Sequence, residues 1–230
     1  MRFQILGPLE ITRERAPVPL GGPKQRAVLA HLIVRANQVV TADELIDRVW
    51  GDEPPQSARN VLQTYISHLR GALGSDRVEG RTPGYVLHLE PGELDAMLFE
   101  DLVREARKAN GQSDRSASLL REALELWRGP AFADLAAEES LAGEIARLND
   151  LHLQTLEERI GADIACGRHA DVLGEVEALT HEYRLRERLW GHLIIALYRS
   201  GRQTDALTTY QRLREILADE LGVDPSPELQ

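Results

Sequence analysis

The stretch SARNVLQTYISHLRGAL, residues 57–73, contains Arg59, His68 and Arg70 but no acidic residue, in a chain whose formal net charge is -10. Successive residues of an α-helix step by about 100°, which gathers Ala58, Val61, Leu62, Tyr65, Ile66, Leu69, Ala72 and Leu73 into one arc of about 140°. Each of these is apolar or aromatic. The opposite arc holds Arg59, Asn60, Gln63, Thr64, Ser67, His68 and Arg70, and Arg59, Asn60, Gln63, Ser67 and Arg70 lie within about 100° of one another. A solubilising helix surface usually mixes Glu with Lys. This one offers guanidinium, amide and hydroxyl groups, the types that bond guanine, adenine and phosphate edges in a major groove. By itself the face fits a solvated amphipathic helix equally well, so its surroundings decide.

Upstream, RFQIL alternates in strand fashion, Gly7-Pro8 interrupts it and LEI resumes, which predicts a short N-terminal hairpin or meander. Pro23 suits the first position of a helix continuing through KQRAVLAHLIVRAN to a stop at Asn37. In TADELIDRVW, Thr41 and Glu44 stand three apart as in a capping box, and GDEPP ends that second helix. Downstream, RVEGRTPGYVLHL places Tyr85, Leu87 and Leu89 on one side of an alternating pattern around a tight turn at residues 80–84, which predicts a β-hairpin with Arg81 at its tip. Strands, three helices and a basic hairpin are the order of a winged helix, whose helix enters the major groove while the wing reaches adjacent backbone or minor groove. An arginine at the tip suits the minor groove, although a lone exposed loop arginine needs no function.

The net charge hides a partition. Residues 1–92 carry 11 Lys+Arg and 10 Asp+Glu, so the whole acidic excess lies in residues 93–230, with 16 against 27. Phosphate responds to local charge within a Debye length of about 8 Å, so the acidic half does not prevent DNA binding by the first.

From Leu94 onward no convincing strand is seen, and helical patterns are broken by Gly-containing or acidic turns, the one at Gly201 among them. Superposing Gly167-Arg168 on Gly201-Arg202 gives a 34-residue offset, the tetratricopeptide period, at which Ile160/Ile194, Ala162/Ala196, Asp171/Asp205, Leu173/Leu207 and Leu179/Leu213 coincide. Arg159 and Asp163 depart from the first copy's apolar pattern, and an earlier pair around Gly111 fits loosely. Stacked helix pairs make a surface for holding another protein, and the acidic excess favours basic partners or is simply solubilising.

Enzymatic chemistry finds little support. GGPKQR lacks the form of a phosphate-binding loop, and neither GxSxG nor HExxH occurs. The seven histidines show no metal-ligand spacing, and acid pairs such as Glu138-Glu139 and Glu157-Glu158 read as surface residues. No catalytic residue, cofactor or metal is expected. Cys166 is the single cysteine and reads as a buried, inert thiol; with no signal-peptide or membrane-length apolar run, a cytoplasmic protein is expected.

In combination, LGPLEI, LGGPKQRAVLAHL, VVTADELIDRVWGDEPPQSARNVLQTYISHLRGAL, RTPGYVLHLEPGELDAMLFEDL and LADELGVDPSPELQ make the chain similar to the AfsR/SARP family of bacterial transcriptional activators. The resemblance spans nearly the whole chain. It implies a mainly α protein: an N-terminal winged helix of the response-regulator effector type, residues 1–92, followed by an all-α bacterial transcriptional activation domain of tetratricopeptide-like repeats, residues 93–230. It implies binding to direct repeats of double-stranded DNA near promoter -35 regions, often of secondary-metabolite clusters, and recruitment of RNA polymerase holoenzyme by a homodimer or tandem monomers. Residues 57–73 match the recognition helix and 77–89 the wing. Members commonly continue after DPSPEL, so the chain is expected to be a short member or part of a longer regulator.

The expected DNA contacts are therefore Arg59, Asn60, Gln63, Ser67 and Arg70, flanked by Thr64 and His68, with Thr41 and Arg81 toward the backbone or wing. A helical-repeat scaffold that uses its winged helix on protein, or a repressor with the same DNA contacts, are the alternatives.

Overall fold

The computed structural model describes residues 1–109 and 112–230, so the loose helix pairing read around Gly111 lies outside the described residues. Backbone contacts divide the chain into two compact units, Met1–Asp101 with Glu125–Leu151, and Leu102–Leu124 with His152–Gln230.

The first unit begins with an antiparallel meander of β1 (Arg2–Gln4), β2 (Glu10–Arg13) and β3 (Ala16–Pro17). Phe3 opposes Ile11 on the buried side, and Glu14 and Arg15 make the tight β2–β3 turn with positive φ at both positions. Three helices follow, α1 (Pro23–Val34), α2 (Ala42–Trp50) and α3 (Ala58–Leu73), with Pro23 in the first turn of α1 and Asn37 in a left-handed conformation just beyond its end. The hairpin of β5 (Val78–Arg81) and β6 (Gly84–Leu87) is joined by β4 (Val40–Thr41) in the order β4-β6-β5. Glycine is required at 84, because a Cβ there would lie 1.8 Å from the Val40 carbonyl oxygen. A winged helix is thus present in the expected element order, with β4 added to its sheet.

The loop between β1 and β2 is the hub of this unit. Both oxygens of Asp95, at the start of α4 (Asp95–Lys108), accept the Ile5 amide at 2.9 Å, and they also accept Leu6 at 3.1 Å and Ala96 at 2.8 Å. From the 125–151 segment, Arg128 and Phe132 donate backbone N–H groups to Leu6 and Ile5 carbonyls, at 2.8 and 2.9 Å, and Asp134 accepts the Leu9 amide at 2.6 Å. Asp134 also pairs with Arg26 of α1. Ile5, Leu6, Leu9 and Phe132 are almost fully buried as a result.

His31 of α1 is 2% exposed, with its Nε2 2.9 Å from the Ser140 hydroxyl. Burial chiefly, and then Arg48, push its pKa from 6.5 down to about 4. Because the folded value lies below the unfolded one, this contribution to stability is complete above pH 6.5 and is lost as pH falls toward 4. The shift corresponds to about 3 kcal/mol. His192 in the second unit is likewise lowered to about 4 by burial. The urea midpoint should therefore fall between pH 6.5 and 4, and His31→Gln should remove part of that pH dependence, the remainder coming from His192, His152 and the lowered Glu93 carboxyl; an unchanged dependence would contradict the assignment.

The second unit contains α5 (Ser113–Leu124), most of α6 (Ala142–Ala165), α7 (Leu173–Glu182), α8 (Glu187–Arg199) and α9 (Gln203–Leu221). Gly167 and Gly201, the residues superposed at the 34-residue offset, both turn the chain with φ near +80°, at +83° and +78°. Ile160, Ile164, Val176, Leu189, Leu193 and Ala196 share one core, so consecutive helix pairs pack as repeats. Arg159 and Asp163, which broke the apolar pattern, satisfy one another at 3.2 Å, and Asp163 also receives Arg168 at 3.0 Å and Arg121. Two sequence expectations are corrected. Glu157 is 2% exposed, held inside by its position on α6 and 4.0 Å from Arg188, and Cys166 is half-buried at a helix end rather than enclosed.

Candidate nucleic-acid interface

The α3 helix is divided along its length. Ala58, Leu62, Ile66, Leu69 and Leu73 are buried, and Val61, Tyr65 and Ala72 are half-buried beside them. Tyr65 stacks on Trp50 of α2, with centroids 6.1 Å apart and planes within 9°. These contacts fix the rotation of α3 about its axis and leave Arg59, Asn60, Gln63, Thr64, Ser67 and His68 exposed together. The first turn of α3 contains no acid and no side-chain cap, so the positive end of the helix dipole is uncompensated.

Individual side chains differ in freedom. Arg59 pairs with Asp43 of α2 at 2.6 Å, both groups being well exposed, which leaves its other guanidinium donors outward. Thr64 turns its hydroxyl onto the Asn60 carbonyl at 3.0 Å, and the His68 ring rests 3.4 Å from Gln25 of α1. Asn60, Gln63 and Ser67 project from the middle of the face. Arg70 is the exception: it is half-buried, and its Nε donates to the Val78 carbonyl at 2.7 Å.

Thr41 ends β4 and caps α2, its Oγ1 accepting the Glu44 amide at 3.0 Å. The reverse half of the capping box is replaced by a bond from Arg48 to the Glu44 carboxylate, also 3.0 Å. Arg81 is exposed at the hairpin tip, opposite Gly84 and 3.8 Å from Glu79. A hydrogen bond from His88, followed by the nearby Arg81, holds the Glu79 carboxyl below its ordinary pKa, so the wing keeps one anion beside its tip cation.

Two residues of this region escaped sequence reading. Arg13 of β2 donates Nη2 to the Ala72 and Leu73 carbonyls at 3.1 and 2.8 Å, closing the C-terminal end of α3. Asp43 sets the direction of Arg59. Neither contact has a local pattern to betray it, since the partners are 59 and 60, or 16, residues apart.

The family model described as transcriptional regulatory protein, C terminal, matches residues 17–87, and that of the bacterial transcriptional activator domain matches 94–230. The regulatory protein AfsR of Streptomyces griseus is 42% identical over 231 residues, which cover 100% of this chain and 24% of that protein. The regulatory protein DnrI of Streptomyces peucetius is 39% identical over 243 residues, covering 100% of this chain and 89% of DnrI. A solved structure of Mycobacterium tuberculosis EmbR, in complex with a low-affinity phosphopeptide, superposes with a TM-score of 0.96 at 38% identity over 99% of this chain and 62% of that one. The chain spans about a quarter of the length of its AfsR relatives, at 24% and 23%. Among the described residues no helix is long and apolar enough to cross a membrane. With both models and the similarity to DnrI along the whole of this chain in agreement, the chain belongs to the AfsR/SARP family of transcriptional regulators, a winged helix followed by a helical bacterial transcriptional activator domain.

Proposed function

We propose that this chain is a cytoplasmic activator that binds direct repeats of double-stranded DNA near promoter -35 regions and recruits RNA polymerase holoenzyme, in the setting of a secondary-metabolite gene cluster. The observation that carries the reading is the α3 helix, whose apolar side is held in the core while an acid-free row of Arg59, Asn60, Gln63 and Ser67 stands exposed beside a hairpin tipped by Arg81. In this arrangement the row reads base edges and nearby phosphates, Thr64 and His68 flank it, and Arg81 and the α2 terminus at Thr41 meet the backbone. Residues 1–92 supply the DNA contacts and residues 93–230 the surface for polymerase, consistent with the acidic excess confined to the latter. Two copies, as a homodimer or as tandem monomers, occupy a direct repeat.

The roles make separable predictions. Gln63→Ala should relax specificity at one base step and cost about 1–3 kcal/mol on the preferred site alone. Arg81→Ala should weaken binding to all sequences and lower the salt slope by about 1. Binding titrations on preferred and scrambled duplexes across salt concentrations check both. Equal losses on every sequence for both variants would defeat the assignment.

A further inference from the structure

Arg70 shares the polar arc of α3 with the exposed row, yet its guanidinium is engaged inside the fold. Its Nε bonds the carbonyl of Val78, the first residue of β5, which is fully buried. Two residues further along the same strand is Gly80, where a Cβ would lie only 3.1 Å from Arg70 Nη2. The guanidinium therefore lies along β5 toward the tip, and the next residue in the strand is Arg81. Arg13 braces the other side of the same helical turn through the Ala72 and Leu73 carbonyls. The last turn of α3 is thus tied to the wing by one arginine and to the N-terminal sheet by another, each using carbonyl acceptors.

We propose that Arg70 is a positioning residue for DNA recognition, holding the wing tip at a fixed distance from the reading face of α3, with Arg13 bracing the helix end. The inference rests on the DNA-binding reading above. An isolated two-stranded hairpin is marginal in water, and here β4 adds only two residues to the sheet. A wing arginine that must be ordered on each encounter loses affinity to that ordering, so a strut that orders it beforehand strengthens the contact without touching DNA. Lysine does not replace this strut, because it keeps the charge but has no donor at the ε position and no planar fork.

The test is a double-mutant cycle in the full chain, using a duplex selected from a random-sequence pool by the wild-type protein. Arg81→Ala should lower affinity about 10-fold in the wild-type background but about 2-fold or less in the Arg70→Ala background, because the tip is already displaced. Arg70→Lys should behave as Arg70→Ala does. The inference is overturned if the two losses multiply, if Arg70→Ala lowers the salt slope by about 1 in the Arg81→Ala background as well, and if Arg70→Lys restores it, the signature of a direct phosphate contact. Thermal unfolding of each variant separates wing displacement from loss of the fold, and should Arg70→Ala fail to fold, the Arg70→Lys cycle decides. Failure of the wild-type chain to select or retain any duplex would instead remove the DNA-binding reading, and this inference with it.

Discussion

Residues 1–92 expressed alone should show no cooperative unfolding transition, whereas the full chain should show one. The winged helix is completed by groups beyond that point. Phe3 donates its amide to the Glu93 carbonyl at 2.7 Å, Glu93 holds Arg77 at 2.6 and 2.9 Å, and Asp95 and the 125–151 segment take the polar backbone of Ile5, Leu6 and Leu9. Truncation at residue 92 removes the acceptors of the Phe3, Ile5 and Leu6 amides, bonds that contribute about 0.5–3 kcal/mol each, the larger values to the Asp95 carboxylate. It also removes Phe99 and Phe132, both fully buried, whose apolar contacts contribute about 1.5–3 kcal/mol apiece. The sum is comparable with the whole stability of an ordinary domain, about 5–15 kcal/mol. Near-ultraviolet circular dichroism during heating is the measurement, and a sigmoidal melt of the fragment would show that the division of roles at residue 92 is also a division of folding.

Asp95→Ala should destabilise the full chain by about 3–5 kcal/mol, seen as a lower urea midpoint. The alanine leaves the Ile5 and Leu6 amides buried beside a void, and α4 loses the group that accepts its Ala96 amide. Asp95→Asn should fall between, because one oxygen still accepts but the new NH₂ group faces donors. Burial raises the Asp95 pKa despite its three N–H partners. A raised folded pKa means that the native state binds the extra proton as pH falls, so this carboxyl does not promote acid unfolding, whereas the groups with lowered values, His31, His192, His152 and Glu93 among them, do. A change below about 1 kcal/mol for Asp95→Ala would contradict the hub role of the β1–β2 loop.

What could be read from the sequence and what could not have the same physical explanation. Local periodicity placed α3, its buried and exposed sides, the capping Thr41, the hairpin around Arg81 and the glycine turns at 167 and 201, because each depends on neighbours within about one or two helical turns. The role of Asp95 and Asp134 as acceptors for the β1–β2 loop has no such signature, since the partners lie 89 to 125 residues apart. The same applies to Arg13 at the end of α3. Arg70 shows the limit most clearly: its position on the wheel is that of a reader, and only the approach of β5 reveals its bond to Val78. In the repeats, Arg159 and Asp163 look like faults in the pattern until the chain brings Arg121 and Arg168 beside Asp163, where paired charge replaces apolar packing. Leu207 reads as the counterpart of half-buried Leu173, yet it is 67% exposed and lines an open groove with Ile195, Tyr198 and Leu229.

The central claim is that the exposed row of α3 reads DNA in a chain of net acidic charge. It is tested most directly by titrating the full chain against a duplex containing its selected direct repeat and a scrambled duplex of equal composition, across salt concentrations. The affinity for the direct repeat should depend on salt and exceed that for the scrambled duplex by about 10³-fold or more. Equal affinity for both duplexes at every salt concentration would contradict it.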